Sequence, residues 1–317
     1  MKPPYTVTPK ALKLVADIFT LLGMMQSNKV DRPVIKLRKQ NQIKTIHHSL
    51  KIEGNTLTER QITALLEGNR VQGPERDIRE VLNAIEVYDV IEQWSATSER
   101  DYLKAHGMLM AGLVERPGRY RNQAVGIAKG SEIQHLAPPH DRVPGLMKEL
   151  FGYLKAEGDL ALIKACVFHY EMELNHPFLD GNGRMGRLWQ TVILRKEYPV
   201  LAQLPLESVI SARQEAYYAA LAASDQAGAS TPFLEFMLEV IHEALDAFIS
   251  AHRRPLTAPD RIHYFASGQT HSFTRRDYLL TFPELSTATA SRDLQLGVHL
   301  GLFRRTGANN QSRYEVV

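Results

Sequence analysis

Between Leu160 and Leu174 apolar residues fall on nearly every face of a helical wheel, a pattern tolerated only where neighbouring elements enclose the helix on all sides. The segment therefore demands a helical bundle built around it. It runs straight into His176-Pro-Phe-Leu-Asp-Gly-Asn-Gly-Arg-Met-Gly-Arg187. Beyond that loop Met185, Leu188, Trp189, Val192 and Ile193 form one helical stripe that ends before Pro199. A helix at the centre of the bundle is thus joined by a glycine-rich turn to a second helix with one apolar face.

The remaining elements are read from caps and periodicity. Thr8-Pro9 marks an N-cap and a first-turn proline, with Leu12, Val15, Phe19 and Leu22 as the apolar stripe of an opening helix. A second helix is predicted from about Val34 to Ile52, with Ile43, Ile46 and Leu50 inward, stopping at the left-handed C-cap Gly54-Asn55. Thr58 and Gln61 form a capping box for a short helix ending before Gly68-Asn69. Further helices are predicted over Glu75–Trp94 and Glu99–Leu113. From Pro117 to Pro144 glycines and prolines break the helical period into a loop, within which Ala124-Val-Gly-Ile-Ala128 reads as extended. Helical spacing resumes at Leu146 and continues to about His252. Arg253-Arg-Pro255 and Thr257-Ala-Pro259 then read as a linker, giving an N-terminal helical region (1–100), a core (101–252) and an appendage (253–317).

At 317 residues and 44% hydrophobic content the chain can bury a substantial core. No apolar run is long enough to span a bilayer, and Met1-Lys-Pro-Pro-Tyr5 is not followed by an apolar signal-peptide segment, so the expectation is a soluble, cytoplasmic chain with no membrane partner. Cys166 is the only cysteine, and its neighbours Ile163 and Val167 point to plain core packing. The net charge of +3 is uneven: from Arg253 onward nine arginines face five acidic residues, +4 in all, leaving −1 for the first 252 residues.

The central loop has the makings of a polyphosphate site. Backbone N–H groups at a helix start have no partners within the helix and sit at the positive end of its dipole. Gly181 and Gly183 keep side chains out of their way, and Arg184 and Arg187, about one turn apart, bring two guanidinium groups to the same place. Asp180 is a hard oxygen ligand beside them, suited to a Mg2+ ion that bridges phosphates. His176, at the other end of the loop, has the side chain best able to accept a hydroxyl proton near neutrality. Phe178 is expected to turn into the core and Pro177 to stiffen the entry. Gly181-Asn-Gly183-Arg-Met-Gly186 also satisfies the dinucleotide pattern G-x-G-x-x-G, but a helix precedes it where that fold requires a strand.

The loop resembles the signature of the Fic family, His-Pro-Phe-x-Asp-Gly-Asn-Gly-Arg-x-x-Arg, at every specified position. The resemblance implies a mainly α fold, a Fic-type helical bundle with a small β-hairpin flap. It implies transfer of AMP from ATP to a hydroxyl of a target protein with release of pyrophosphate. His176 would be the base and Asp180 the Mg2+ ligand, with Gly181, Asn182, Gly183, Arg184, Met185, Gly186 and Arg187 holding the nucleotide. Val125, Gly126 and Ile127 lie where the family places a flap that pairs with the target backbone. Arg213 and Tyr217 fall in a segment that lines the adenosine side in similar proteins.

Ser49-Leu-Lys-Ile-Glu53-Gly54 resembles the family's inhibitory motif, and Ser49 and Glu53 share a helix face. The resemblance implies that Glu53 occupies Arg187 and leaves ATP in an unproductive pose; the same carboxylate is placed to orient water for the reverse reaction, removal of AMP. In the appendage Thr274 caps a helix through Leu280 and Ser286 another through about His299. Strands are predicted at Gly301–Arg305 and Ser312–Val317, joined by Gly307-Ala-Asn-Asn310, an order that resembles a winged helix. A DNA-binding version would present Thr287, Thr289, Ser291 and Arg292 to the major groove and Arg304, Arg305 and Arg313 to phosphates; a protein-docking or homodimerising version stands beside it. The competing reading of the whole chain is a DNA-binding regulator whose Fic core senses nucleotide, but nucleotide sensing needs no His176.

Overall fold

Thr8 caps the first helix, its Oγ1 accepting a hydrogen bond from the Ala11 amide at 3.1 Å. The computed structural model describes residues 2–27, 34–129, 132–201, 204–253, 256–269, 272–307 and 312–316. Helix α1 (Pro9–Ser27) buries Ala11, Val15, Ile18 and Leu22, whereas Leu12 and Phe19, expected inward, are exposed. Both sets follow the i, i+3, i+4 rhythm, so spacing leaves the phase of the stripe open and the packing partner decides it.

Helix α2 (Val34–Ile52) buries Ile43, Ile46 and Leu50 and ends where Gly54 takes φ +93°. The Thr58–Gln61 capping box opens α3 (Glu59–Leu66). Helix α4 (Glu75–Asp89) is shorter than predicted, giving way to a 3-10 turn at Ile91–Gln93. Helix α5 (Glu99–Leu109) also stops short of Leu113, since Gly112 turns the chain with φ +71°. The following loop carries an antiparallel hairpin, β1 (Gly126–Lys129) with β2 (Glu132–Leu136), Gly126 lying opposite Leu136 and Ile127 opposite His135. Helix α6 (Val143–Lys155) begins ahead of the predicted Leu146 because Pro144 fits its first turn.

Helix α7 (Ala161–Asn175) is the buried centre that the sequence demands, and α8 (Asn182–Glu197) is buried beside it on more faces than its single stripe implies. Cys166, Phe168 and Met172 of α7 and Met185, Leu188, Trp189 and Leu194 of α8 are all at most 1% exposed. Helices α9 (Leu206–Ala212), α10 (Gln214–Ala227) and α11 (Thr231–Arg253) follow. The contact between α7 and α8 rests on Gly186: a Cβ there would lie 2.6 Å from His169 Cδ2 and 2.7 Å from Met172 Cε. Gly186→Ala is expected to cost about 1–3 kcal/mol by overpacking. Urea denaturation followed by tryptophan fluorescence checks this, and an unchanged midpoint would show that α7 and α8 separate freely.

The chain divides into two compact units between Ile249 and Ser250, inside α11. In the second unit Thr257-Ala-Pro259, predicted as linker, begins a helix instead: Thr257 and Asp260 form a capping box for α12 (Ala258–Gly268), with Pro259 in its first turn. Thr274 caps α13 (Arg275–Thr281) and Ser286 caps α14 (Thr287–His299). Strands β3 (Phe303–Thr306) and β4 (Arg313–Val316) pair antiparallel, and Phe273 bridges to Tyr314. Beyond Gly307 the predicted turn lies outside the described residues. Ile262, Phe265, Tyr278, Leu294 and Phe303 form the core, beside which buried Asp293 pairs with Arg261 at 2.7 Å. Thr287, Arg292, Arg304, Arg305 and Arg313 are exposed, whereas Ser291 Oγ accepts from Arg275 Nη1 at 3.0 Å.

Candidate active site

Helix α7 ends because His176 adopts the left-handed conformation, φ 45° and ψ 59°, and is the one non-glycine residue with positive φ among those described. An L-residue pays on the order of 1 kcal/mol for this, and such strain is held only where surrounding contacts fix it. The contacts are present. The His176 carbonyl accepts from Arg121 Nε at 2.8 Å, and the Pro177 carbonyl accepts from the Arg121 amide at 2.9 Å. Phe178 is buried, stacked on His106 with centroids 3.6 Å apart, as its apolar character predicts. Asn182 closes the turn on itself, its side chain accepting from Phe178 N and donating to Phe178 O, both at 2.9 Å.

The loop delivers the start of α8 to a place where anions collect. Gly181, at φ +86°, is the N-cap, and the amides of the first turn point out of the helix. The Glu53 carboxylate sits over this turn: a Cβ on Gly183 would lie 2.4 Å from Glu53 Oε1. Arg187 Nη2 donates to Glu53 Oε1 at 2.7 Å and to the Ser49 carbonyl at 3.0 Å, while its Nε donates to Ser49 Oγ at 3.2 Å. Burial opposes the Arg187 charge, but Glu53, with Tyr217 and Glu173 beside it, holds the guanidinium above its ordinary pKa. Ser49, Glu53, Gly183 and Arg187, separated by more than a hundred residues in sequence, are therefore one cluster.

Arg184 is buried and reaches two carboxylates, Asp180 Oδ1 at 2.8 Å and Glu80 Oε1 at 3.2 Å. Asp180 is also paired with the exposed Arg76 at 3.0 Å, and its own carboxylate remains 38% exposed. A Mg2+ ion fits this donor: the carboxylate is reachable from solvent beside guanidinium groups that would share the phosphates, and only exposed Arg76 need move. Met185 turns into the core and Gly186 faces α7, so neither offers a side chain to a ligand. Tyr217 is 2% exposed, with its hydroxyl 3.1 Å from His169 Nε2. Arg213 faces α11, pairing with Glu239 at 2.7 Å and Glu243 at 3.4 Å. Its neighbour Gln214 instead touches the end of α2, donating to the Ile52 carbonyl at 3.2 Å. Val125 precedes β1, in which Gly126 and Ile127 lie.

Three residues that hold this site escape a reading by motif. Glu80, 7% exposed, accepts from Asn55 Nδ2 at 2.9 Å and so ties the turn after α2 to Arg184. His106 bridges Gly118 N, at 2.9 Å from its Nδ1, and the Asp180 carbonyl, at 3.0 Å from its Nε2. Burial pushes its pKa down to about 4, so it is neutral near pH 7 with the proton on Nε2. Arg121, buried, also donates to the carbonyls of Gln123 and Pro138, which flank the β1–β2 hairpin on either side. One guanidinium thus fastens the feet of the hairpin to the backbone of His176. The visible signal was slight: a polar residue inside an apolar helical stripe, as with Glu80 beside Val81 and Ala84.

A sequence model of the Fic/DOC family matches residues 96–194, the span that holds α7, the loop and most of α8. Protein adenylyltransferase Fic of Culex quinquefasciatus is 25% identical over 263 residues, covering 78% of this chain and 50% of that protein. Protein adenylyltransferase fic-1 of Caenorhabditis elegans is 28% identical over 268 residues, covering 80% and 49%. The chain spans about half the length of the curated relatives it matches. Among solved structures, residues 134–508 of Fic-1 from C. elegans align with TM-score 0.63 at 23% identity over 76% of this chain and 72% of that one, a likeness of fold. A Fic family protein from Desulfovibrio desulfuricans aligns with TM-score 0.77 at 41% identity, over 100% of this chain and 98% of that one. With that identity sustained along the whole length, the chain belongs to the Fic family.

Proposed function

We propose that this chain transfers AMP from ATP to a hydroxyl of a target protein, and that Glu53 restrains the reaction. What carries the reading is the Glu53 carboxylate seated over the first turn of α8 and paired with buried Arg187, because a group of phosphate-like charge already occupies the place built for one. In the productive state the triphosphate replaces that carboxylate, with Arg187 and Arg184 neutralising its charge and the α8 amides binding its oxygens. The target hydroxyl gives its proton to His176 as its oxygen attacks the α-phosphorus. A new P–O bond forms, the bond from the α-phosphorus to the bridging oxygen breaks, and pyrophosphate leaves. Asp180 would hold Mg2+, which neutralises phosphate charge when bound. The β1–β2 hairpin, fixed at its feet by Arg121, is suited to pair with an extended target segment. Names carried by the relatives support the reading, since they are called protein adenylyltransferases.

The test compares wild type with Glu53→Gly, using ATP labelled on the α-phosphate and, separately, on the γ-phosphate. Label from the α position is expected on protein, several-fold stronger in Glu53→Gly, and label from the γ position is expected on none. Transfer from the γ position would make the chain a phosphotransferase, and equal labelling by the two proteins would remove the restraining role of Glu53. The reverse reaction, with Glu53 orienting water, predicts that wild type strips AMP from protein labelled by Glu53→Gly; persistence of the label would exclude it.

A further inference from the structure

Near the end of α2, away from the loop just described, two imidazoles and a carboxylate converge. His47 Nδ1 lies 3.5 Å and His48 Nε2 lies 3.7 Å from Glu59 Oε1, and the three atoms are within 4.8 Å of one another. Adjacent residues point about 100° apart on a helix, so they normally do not meet one ligand. Here they do, because His47 offers its near ring nitrogen and His48 its far one, while Glu59 reaches across from the first turn of α3. We infer that His47, His48 and Glu59 form a binding site for a divalent transition metal of the zinc class, which would tie the end of α2 to the start of α3.

The donor set is chemically apt. Zinc takes histidine nitrogen and carboxylate oxygen at about 2.0–2.2 Å, which puts tetrahedral ligands roughly 3.4 Å apart. The two distances to Glu59 are therefore nearly those of a coordinated set, and a side-chain torsion closes the rest. The imidazole side chains are 16% and 21% exposed and the carboxylate 46%, leaving one open face for water as a fourth ligand. His47 Nδ1 is buried and makes no hydrogen bond among the described residues. Those residues form the one group of three or more metal-ligating side chains found this close together among the described residues.

Position gives the site a consequence. His48 adjoins Ser49, which holds Arg187, and the span from His47 to Glu59 encloses Glu53 and the turn at Gly54. A bound ion would fix the segment that delivers Glu53. On the reading that Glu53 restrains transfer, occupancy favours the restrained state; the metal site itself does not depend on that reading.

The experiment uses the full chain without a histidine tag, stripped with chelator. Calorimetric titration with Zn2+ is expected to give one ion per chain with micromolar Kd, and Co2+ to give the visible bands of a four-coordinate site. Loss of groups that merely orient metal ligands costs 10–100-fold in affinity, so His48→Gln and Glu59→Gln, which remove ligands, are each expected to cost at least about tenfold. The chain has 12 histidines, and Zn2+ binding undiminished in these variants would assign the ion elsewhere and overturn the proposal. Absence of sub-millimolar binding by wild type would overturn it too. Backbone hydrogen exchange at 53–58 is expected to slow with Zn2+ in wild type and not in the variants. If exchange slows while labelling from ATP is unchanged, the metal site stands and its link to Glu53 falls.

Discussion

Adding His176→Ala to a Glu53→Gly chain is expected to lower labelling from α-labelled ATP by about 10²–10⁴-fold, the usual worth of a general base, while leaving ATP affinity nearly unchanged. The separation follows from where the groups sit. The ring of His176 stands on a left-handed residue at the end of α7, and the turn is held through its backbone by Arg121 and by the Asn182 side chain. The nucleotide-binding groups proposed here, Arg184, Arg187 and the amides of α8, lie on the far side of the turn. Alanine at 176 should therefore fold, bind ATP and fail at proton transfer. Equilibrium dialysis of ATP alongside the labelling assay checks both halves. A parallel fall in affinity would mean that His176 shapes the loop, and undiminished labelling would mean that another group takes the proton.

Much of this centre was legible in the sequence because it is contiguous. A twelve-residue loop can show its glycines, arginines and histidine side by side, and the helices around it announce themselves through caps such as Thr58 with Gln61. Glu53 was legible for a different reason, the resemblance of its short motif, and the geometry places it on Arg187. What stayed hidden is long-range polar pairing. Arg76 and Glu80 stand four residues apart and pair on α4, and only the fold reveals that Glu80 faces inward to Arg184. Asn55 reads as a cap residue, yet its side chain joins Glu80. Arg121 acts through three carbonyls, and carbonyls carry no sequence signature. The misplaced phase of α1 and the helix hidden in Thr257-Ala-Pro259 share one cause: local patterns fix that a helix forms more firmly than which face it buries or how it relates to a proline.

Glu80→Ala tests the most consequential of those hidden pairs. Arg184 is 4% exposed and Glu80 7%, so the substitution leaves a buried guanidinium with Asp180 as its remaining carboxylate. Breaking a buried pair from one side costs about 3–5 kcal/mol, since the surviving charge keeps its desolvation penalty without its partner. Asn55 Nδ2 loses an acceptor as well, though it keeps the Asp77 carbonyl at 3.1 Å. Trp94 and Trp189, the chain's two tryptophans, both lie in the first unit, so fluorescence during urea denaturation reports on the unit that contains the pair. Glu80→Gln should lose less, because an amide oxygen can still accept from Asn55 or Arg184 while the charge is gone. Pairing Glu80→Leu with Arg184→Met should recover most of the stability and still forfeit ATP binding, since apolar replacement of a whole buried pair is often close to neutral. Under that outcome the pair is retained for the nucleotide and not for the fold. A loss below about 1 kcal/mol in Glu80→Ala, the level of an exposed ion pair, would instead mean that Asp180 alone satisfies Arg184 and that Glu80 belongs to the surface.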